Sequence, residues 1–460
     1  MTIAMDLQSA ARATRGGVVG DNTTFRGVST DSRSIVAGEL FVALRGENFD
    51  GHDYLTAVAE RGAAAALVAD DTAGNASIGH LPLLRVADTR LALGALAADW
   101  RGRFTLPLVA VTGSNGKTTT KEMIASILRA AFGDAVLSTH GNFNNDIGLP
   151  LTLFRLNAEH RAAVIEMGMN HPGEIAYLAG ISRPNVALVT NAQRAHLAGM
   201  GSLKAIATEK GSIYKGLAEN GVAVFNADDQ WAGLWRAQSR GVKTMTFGID
   251  RAADVSGEFH IHGLESRLRL QAPTGEMEAT LSLPGQHNAR NALAAATACL
   301  AAGISLANVQ AGLTAFRGLK GRLQQRAARR GAILLDDTYN ANPDSVRAGI
   351  DVLAATIGKK VLVLGDMGEI GDMSAQFHDE IGGYAKSQGI DRLLALGNAT
   401  AVAARNFGAG GEHYSTVDRL IEALTAELTP QTTVLVKGSR FMRMERVADV
   451  IAAPQSTGGQ

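Results

Sequence analysis

The run Val111-Thr112-Gly113-Ser114-Asn115-Gly116-Lys117-Thr118-Thr119 carries the residue types needed to hold a polyphosphate. An apolar, β-branched stretch, 108–113, enters it, and a helical pattern leaves it and continues to about Phe132. Gly113, Ser114, Asn115 and Gly116 would let backbone N–H groups approach a phosphate, and the positive end of the following helix points at the same place. Lys117 would neutralise charge on the outer phosphates, and the Thr118 hydroxyl, with Thr119 beside it, would reach a bound Mg2+. The match to the general pattern G-x-x-x-x-G-K-[ST] is partial, because Val111 stands where its first glycine is expected.

Further groups with chemistry to offer follow other strand-like runs. Glu166 ends AVIEMG, and His196 follows a strand end in TNAQRAHLAGMGS. Lys210 sits in the helical stretch ATEKG. Taken singly, these are a solvated acid, a loop histidine and a surface lysine. Beside a phosphate loop, an oxygen and a nitrogen ligand stand where a nucleotide's metal ions belong. The loop GNFNNDIGLP (141–150) places Asn145 among three asparagines, an amide density suited to a second phosphate group. Asn288 and Asn291 lie three apart at the start of a helix, where they either cap it or read an adenine edge. Arg322 is a candidate clamp on the γ-phosphate.

These residues need a scaffold. At 460 residues the chain exceeds one hydrophobic core, and a three-domain layout is expected. Residues 1–85 read as short strands and turns. Strand-like runs separated by helices follow at 162–168, 186–191 and 222–229, and residues 252–283 alternate as an antiparallel insertion. A second α/β series begins near Arg317, with runs at 332–338, 360–367, 392–397 and 433–439. Many of these runs end in polar or glycine residues, at the edge where open α/β sheets bind ligands. The tail 453–460 is polar and reads as unstructured.

With 44 basic and 44 acidic residues, bulk charge drives no nucleic-acid binding. Cys299, the one cysteine, lies in an apolar helical run and cannot form an internal disulfide. No apolar leader and no stretch of 18 apolar residues is found, so a cytoplasmic protein with no membrane segment is expected.

In combination and order, these motifs resemble the Mur ligase family along nearly the whole chain. The matching strings are TDSR (30–33), LFVALRGENFDGHDY (40–54), TGSNGKTTTKEM (112–123), GNFNNDIGLPLTL (141–153) and VIEMGMNHPGEIAYL (164–178). AHLAGMGS (195–202), EKGSIY (209–214), LPGQHNARNALAA (283–295), DDTYNANPDS (336–345), GDMGEIG (365–371) and VLVKGSR (434–440) complete the set. The short glycine loop is the family's own version. The resemblance implies an α/β fold of three domains: a small UDP-sugar-binding domain (1–85), a central P-loop-type ATPase domain (105–316) and a Rossmann-like C-terminal domain (320–455).

It also implies roles. Lys117 and Thr118 meet ATP and its magnesium, and Glu166 is a magnesium ligand. His196 holds a second Mg2+, and Lys210 ligates as a carbamate, since CO2 addition turns a metal-repelling ammonium into a carboxylate. Asn288 and Asn291 contact adenine, Arg322 the γ-phosphate and Asp337 the ribose. Ser32 and Arg33 belong to the UDP-sugar region, and Tyr339, Asn340 and Asn342 to the incoming amine. The implied activity joins D-alanyl-D-alanine to UDP-N-acetylmuramoyl-tripeptide with ATP, by a monomer. The DNPR-type motif of the diaminopimelate- or lysine-adding relatives is absent, and GDMGEIG with DDTYNAN points to the dipeptide-adding member.

A carboxylate attacking ATP brings an anion against about four negative charges, a repulsion of several kcal/mol unless cations gather there. Hinges near 85–105 and 315–322 would let the C-terminal domain close over the nucleotide. A folate-polyglutamating ligase shares the last two domains and leaves the N-terminal 85 residues unexplained. A nucleotide switch protein would leave Glu166, His196 and Lys210 as coincidence.

Overall fold

The computed structural model describes residues 3–71, 80–262 and 265–454. Residues 455–460 of the polar tail lie outside them. The tail's first residue, Ala453, is tied down by donating its N–H to Ala327 O at 2.9 Å.

The architecture is α/β, built on three main sheets. In the middle one, nine strands run in the order Gly275–Leu281, Glu265–Ala272, Val255–His262, Lys243–Gly248, Val222–Asn226, Val186–Val189, Leu108–Thr112, Ala162–Glu166 and Val136–Ser138. The pairings from Val136–Ser138 across to Val255–His262 are parallel, and the last two are antiparallel. This is the insertion expected from the alternation at 252–283. The central strands Leu108–Thr112 and Ala162–Glu166 are buried throughout, which is why they read as continuous apolar runs without alternation.

The C-terminal sheet has six strands, in the order Gln324–Ala327, Ile333–Asp337, Thr432–Lys437, Lys359–Gly365, Arg392–Leu396 and Gly411–Tyr414. Only the first pairing is antiparallel. The N-terminal sheet has five short strands, and a separate strand pair joins Ala4–Asp6 to Thr24–Arg26.

One expected hinge lies inside a shared core. The segment 85–105 is mostly the helix Thr89–Arg101, whose N-terminus Asp88 caps by accepting from Arg90 and Leu91 N–H. That helix buries Ala92, Leu93, Leu96 and Ala97 in a single cluster with Leu40, Leu67 and Leu84 on one side and Leu108, Ile165 and Trp235 on the other. Flexing there would tear a continuous core, so the N-terminal sheet and one face of the middle sheet behave as one body. The opposite face of the middle sheet has its own core, and the C-terminal sheet two more. Among the described residues no cluster of buried hydrophobics spans the segment 317–322: Phe316 belongs to the middle sheet's second core and Leu323 to the C-terminal one, while the partly buried Leu197 packs against both a middle-sheet core and a C-terminal one. Gly318 and Gly321 within that segment have φ of +83° and +71°.

Candidate active site

A cleft of about 920 Å³ opens between the carboxyl ends of the middle and C-terminal sheets. Its floor is the phosphate loop. Gly116, at φ +79° and ψ −3°, forms the N-cap of the helix Lys117–Phe132 and aims the helix's free N–H groups into the cleft. Lys117 folds back, donating to Gly113 O at 2.8 Å and Ser114 O at 3.3 Å, so its charge lies over the loop. Burial lowers its pKa, an effect increased by Arg322 and opposed by Glu166 and Glu369. Arg322 donates to Thr118 Oγ1 at 3.2 Å and stacks on Tyr339, its guanidinium 3.9 Å from the ring centroid. Two cations thus line the cleft beside the phosphate loop.

Glu166 ends its strand with 2% of its surface exposed. Oε1 accepts from Asn144 Nδ2 at 2.8 Å, while Oε2 is buried without a hydrogen-bond partner. A buried carboxylate oxygen left bare is costly, and a cation is the natural way to satisfy it. The Thr118 hydroxyl lines the same cleft. Oxygen donors of this kind suit Mg2+. His196, at φ +59°, instead pairs Nδ1 with Glu369 Oε2 at 2.9 Å. Among the described residues no group of three or more His, Cys, Asp or Glu side chains forms a metal cluster.

Lys210 lies in the last turn of the helix Leu203–Gly211 and is 1% exposed. Burial, and then the charge of Lys117, pushes its pKa well below the ordinary lysine value. The sequence made it an ordinary surface lysine when taken alone. The fold makes it a buried amine held toward its neutral, nucleophilic form, the form that adds CO2.

Asn288 and Asn291 lie on the helix Gln286–Ala301, both buried at the cleft wall. Asn288 Nδ2 donates to Pro284 O at 2.8 Å and Asn291 Nδ2 to Asn288 Oδ1 at 3.3 Å, which orients the pair. Asp337, at the end of the strand Ile333–Asp337, accepts from Lys437 Nζ at 2.6 Å and Leu323 N at 3.1 Å. Asn342 caps the helix Pro343–Ala354 through a capping box, and its amide meets that of Asn115 at 2.7 and 3.3 Å. Asn145 Oδ1, just ahead of the short helix Gly148–Leu153, accepts from Gly148 N at 2.8 Å. Tyr339, Asn340, Ser114 and Thr119 line the cleft as well.

Four candidates lie off that lining: Gly113 just beneath the loop, Lys210 behind it, and Ser32 with Arg33 on the N-terminal sheet's own turn. There Arg33 pairs with Asp31 at 2.8 Å, largely exposed. Sequence reasoning singled out neither Glu369, Lys437 nor Arg194 as a site residue. The first two stand in the quoted strings GDMGEIG and VLVKGSR at strand ends, a signal that was available. Arg194 likewise stands in TNAQRAHLAGMGS, two residues before His196 and just past a strand end.

Three family models match in order: Mur ligase family, catalytic domain over residues 24–101; Mur ligase middle domain over 111–299; and Mur ligase, glutamate ligase domain over 321–440. A Haemophilus influenzae protein named UDP-N-acetylmuramoyl-tripeptide–D-alanyl-D-alanine ligase is 42% identical, covering 95% of this chain and 96% of its own. An Escherichia coli protein of the same name is 41% identical over 99% of both chains. Among solved structures, MurF from Acinetobacter baumannii superposes with a TM-score of 0.92 at 36% identity, covering 98% of this chain and 99% of its own. MurF ligase from Thermotoga maritima in complex with ADP superposes at 0.81 with 27% identity, covering 92% and 96%.

Proposed function

The chain belongs to the Mur ligase family, and from that premise we propose which of its residues carry the ATP-dependent joining of D-alanyl-D-alanine to UDP-N-acetylmuramoyl-tripeptide. The chain is that ligase, acting in peptidoglycan precursor synthesis through an acyl phosphate. The observation that carries the residue-level reading is the convergence of the phosphate loop, Arg322 and the bare Glu166 oxygen on one cleft.

Free N–H groups of the loop and the Lys117 ammonium hold the triphosphate, with Asn288 and Asn291 at its adenine and Asp337 at its ribose. Lys117 and Arg322 offset the charge that builds as the tripeptide carboxylate approaches the γ-phosphorus. Arg322 is braced by Tyr339 and Thr118, so it needs little reorganisation as that charge develops. Magnesium held by Thr118 and Glu166 would supply further positive charge at the phosphates, and His196 and a carbamylated Lys210 are the proposed donors for a second ion. Tyr339, Asn340 and Asn342 face the incoming dipeptide, whose amine displaces phosphate from the acyl phosphate. Water would destroy that intermediate, and closing the C-terminal sheet over the cleft about the segment 315–322 excludes it. Ser32, Arg33 and the 46–54 loop are proposed for the UDP-sugar.

The match over 24–101 supports this reading over a folate-polyglutamating ligase, which leaves that region unexplained. The ATP requirement supports a cytoplasmic setting. Among the described residues no helix is long and apolar enough to cross a membrane.

Phosphate release, measured with UDP-N-acetylmuramoyl-tripeptide, ATP and D-alanyl-D-alanine and with each omitted in turn, tests the reading. Release should need all three. Release that ignores the dipeptide and tripeptide would overturn it in favour of a nucleotide switch.

A further inference from the structure

The loop 190–196 touches both walls of the cleft. At its start Thr190 Oγ1 and Asn191 Nδ2 donate to Asn115 O at 2.8 and 3.0 Å, and Gln193 Oε1 accepts from Asn115 Nδ2 at 2.7 Å. Arg194 turns the other way. Its backbone N–H donates to Asp344 Oδ2 at 2.8 Å, and Nε and Nη2 donate to Asp344 Oδ1 at 3.0 and 2.7 Å. Nη1 and Nη2 reach Glu380 at 2.8 and 3.2 Å, and the guanidinium lies 5.2 Å from the Phe377 ring centroid. Arg347 shares Glu380 at 2.8 Å, so two cations face two carboxylates.

A guanidinium can grip two carboxylates and a ring at once because its donors fan out in a plane; an ammonium cannot. The side chains of Arg194, Asp344 and Glu380 are 20%, 21% and 31% exposed, so solvent screens this clamp only in part. Asp344 lies two residues beyond Asn342, whose amide meets Asn115 in the phosphate loop. The clamp and that amide pair therefore fix the start of the helix Pro343–Ala354 at two points, the N-cap Asn342 itself and Asp344 in the first turn.

We propose that Arg194 is a positioning residue that docks the C-terminal sheet so that Tyr339, Asn340 and Asn342 stand over the phosphate loop when the dipeptide reacts. This rests on the ligase reading above. In the assembled reaction, Arg194→Met should leave the affinity for a non-hydrolysable ATP analogue within about twofold, because no loop contact to nucleotide is lost. kcat/KM for D-alanyl-D-alanine should fall by about tenfold or more, the size expected for unpairing a part-buried charge cluster. Glu380→Gln should move the same way by less, and the double variant should be little worse than Arg194→Met alone.

Hydrogen exchange across residues 339–348, with the ATP analogue bound, reads docking without turnover and should speed up in both variants. If wild-type enzyme shows no dipeptide-dependent turnover, the ligase reading fails while the exchange result still judges the clamp. A kcat/KM within twofold of wild type for Arg194→Met, or losses that simply multiply in the double variant, would overturn the proposal. Should Arg194→Met not fold, unchanged kcat/KM and exchange in Glu380→Gln would overturn it equally.

Discussion

Replacing Gly116 with alanine should weaken nucleotide binding by one to two orders of magnitude and leave the chain folded. Gly116 holds φ +79° at the N-cap of the phosphate-loop helix, a conformation that costs an L-residue about 1–2 kcal/mol. An added Cβ would also lie 2.2 Å from Asn291 Oδ1 and 2.9 Å from its Cγ. Asn291 is buried and must swing away, giving up its 3.3 Å bond to Asn288, at about 1 kcal/mol. The sum, about 2–3 kcal/mol, falls on the binding-competent loop. At 1.4 kcal/mol per decade it corresponds to a loss of about 30- to 150-fold in affinity. Against a typical stability of about 5–15 kcal/mol the fold survives. Calorimetric titration with a non-hydrolysable ATP analogue measures the loss, and a thermal melt confirms folding. Gly303→Ala is the control, since φ there is +83° with nothing within 4 Å of the added carbon. It should lower stability and leave affinity alone. Gly116→Ala binding within threefold of wild type would refute the argument.

Two further outcomes are expected. Lys210→Ala should lose turnover that added bicarbonate does not restore, and an active variant would remove that amine from the mechanism. His287, half-buried at the cleft wall, has its pKa pushed down to about 4 by desolvation, against the opposing charge of Asp337. The folded chain thus keeps the ring neutral where the unfolded chain, near 6.5, takes up a proton. Its stabilisation is intact above about pH 6.5 and is lost as pH falls toward 4, about 3 kcal/mol in all. The melting temperature of wild type relative to His287→Gln should therefore decline across that interval and stay level from pH 7 to 9. A difference independent of pH would contradict this.

The phosphate loop was legible because it is contiguous: strand, glycines, Lys117 and Thr118 follow one another, and local backbone geometry alone brings them together. The buried parallel strands were legible for a similar reason, since burial on both faces leaves an unbroken apolar run at Leu108–Thr112 and Ala162–Glu166. The hinge expected at 85–105 followed from the three-domain layout, which marks a boundary between sheets without saying whether their cores fuse. They do, through Leu93 and Leu96.

What tertiary structure alone decided is charge state and partnership. Lys210 is an ordinary helix lysine by sequence, and only packing strips its water and moves its proton equilibrium. His196 finds Glu369 across 173 positions, and Arg194 finds Asp344 and Glu380 across 150 and 186. Chain order fixes which residues neighbour one another within a turn or a strand. Solvent exposure and long-range ion pairing depend on how separate sheets come to lie against each other, and no local pattern encodes that.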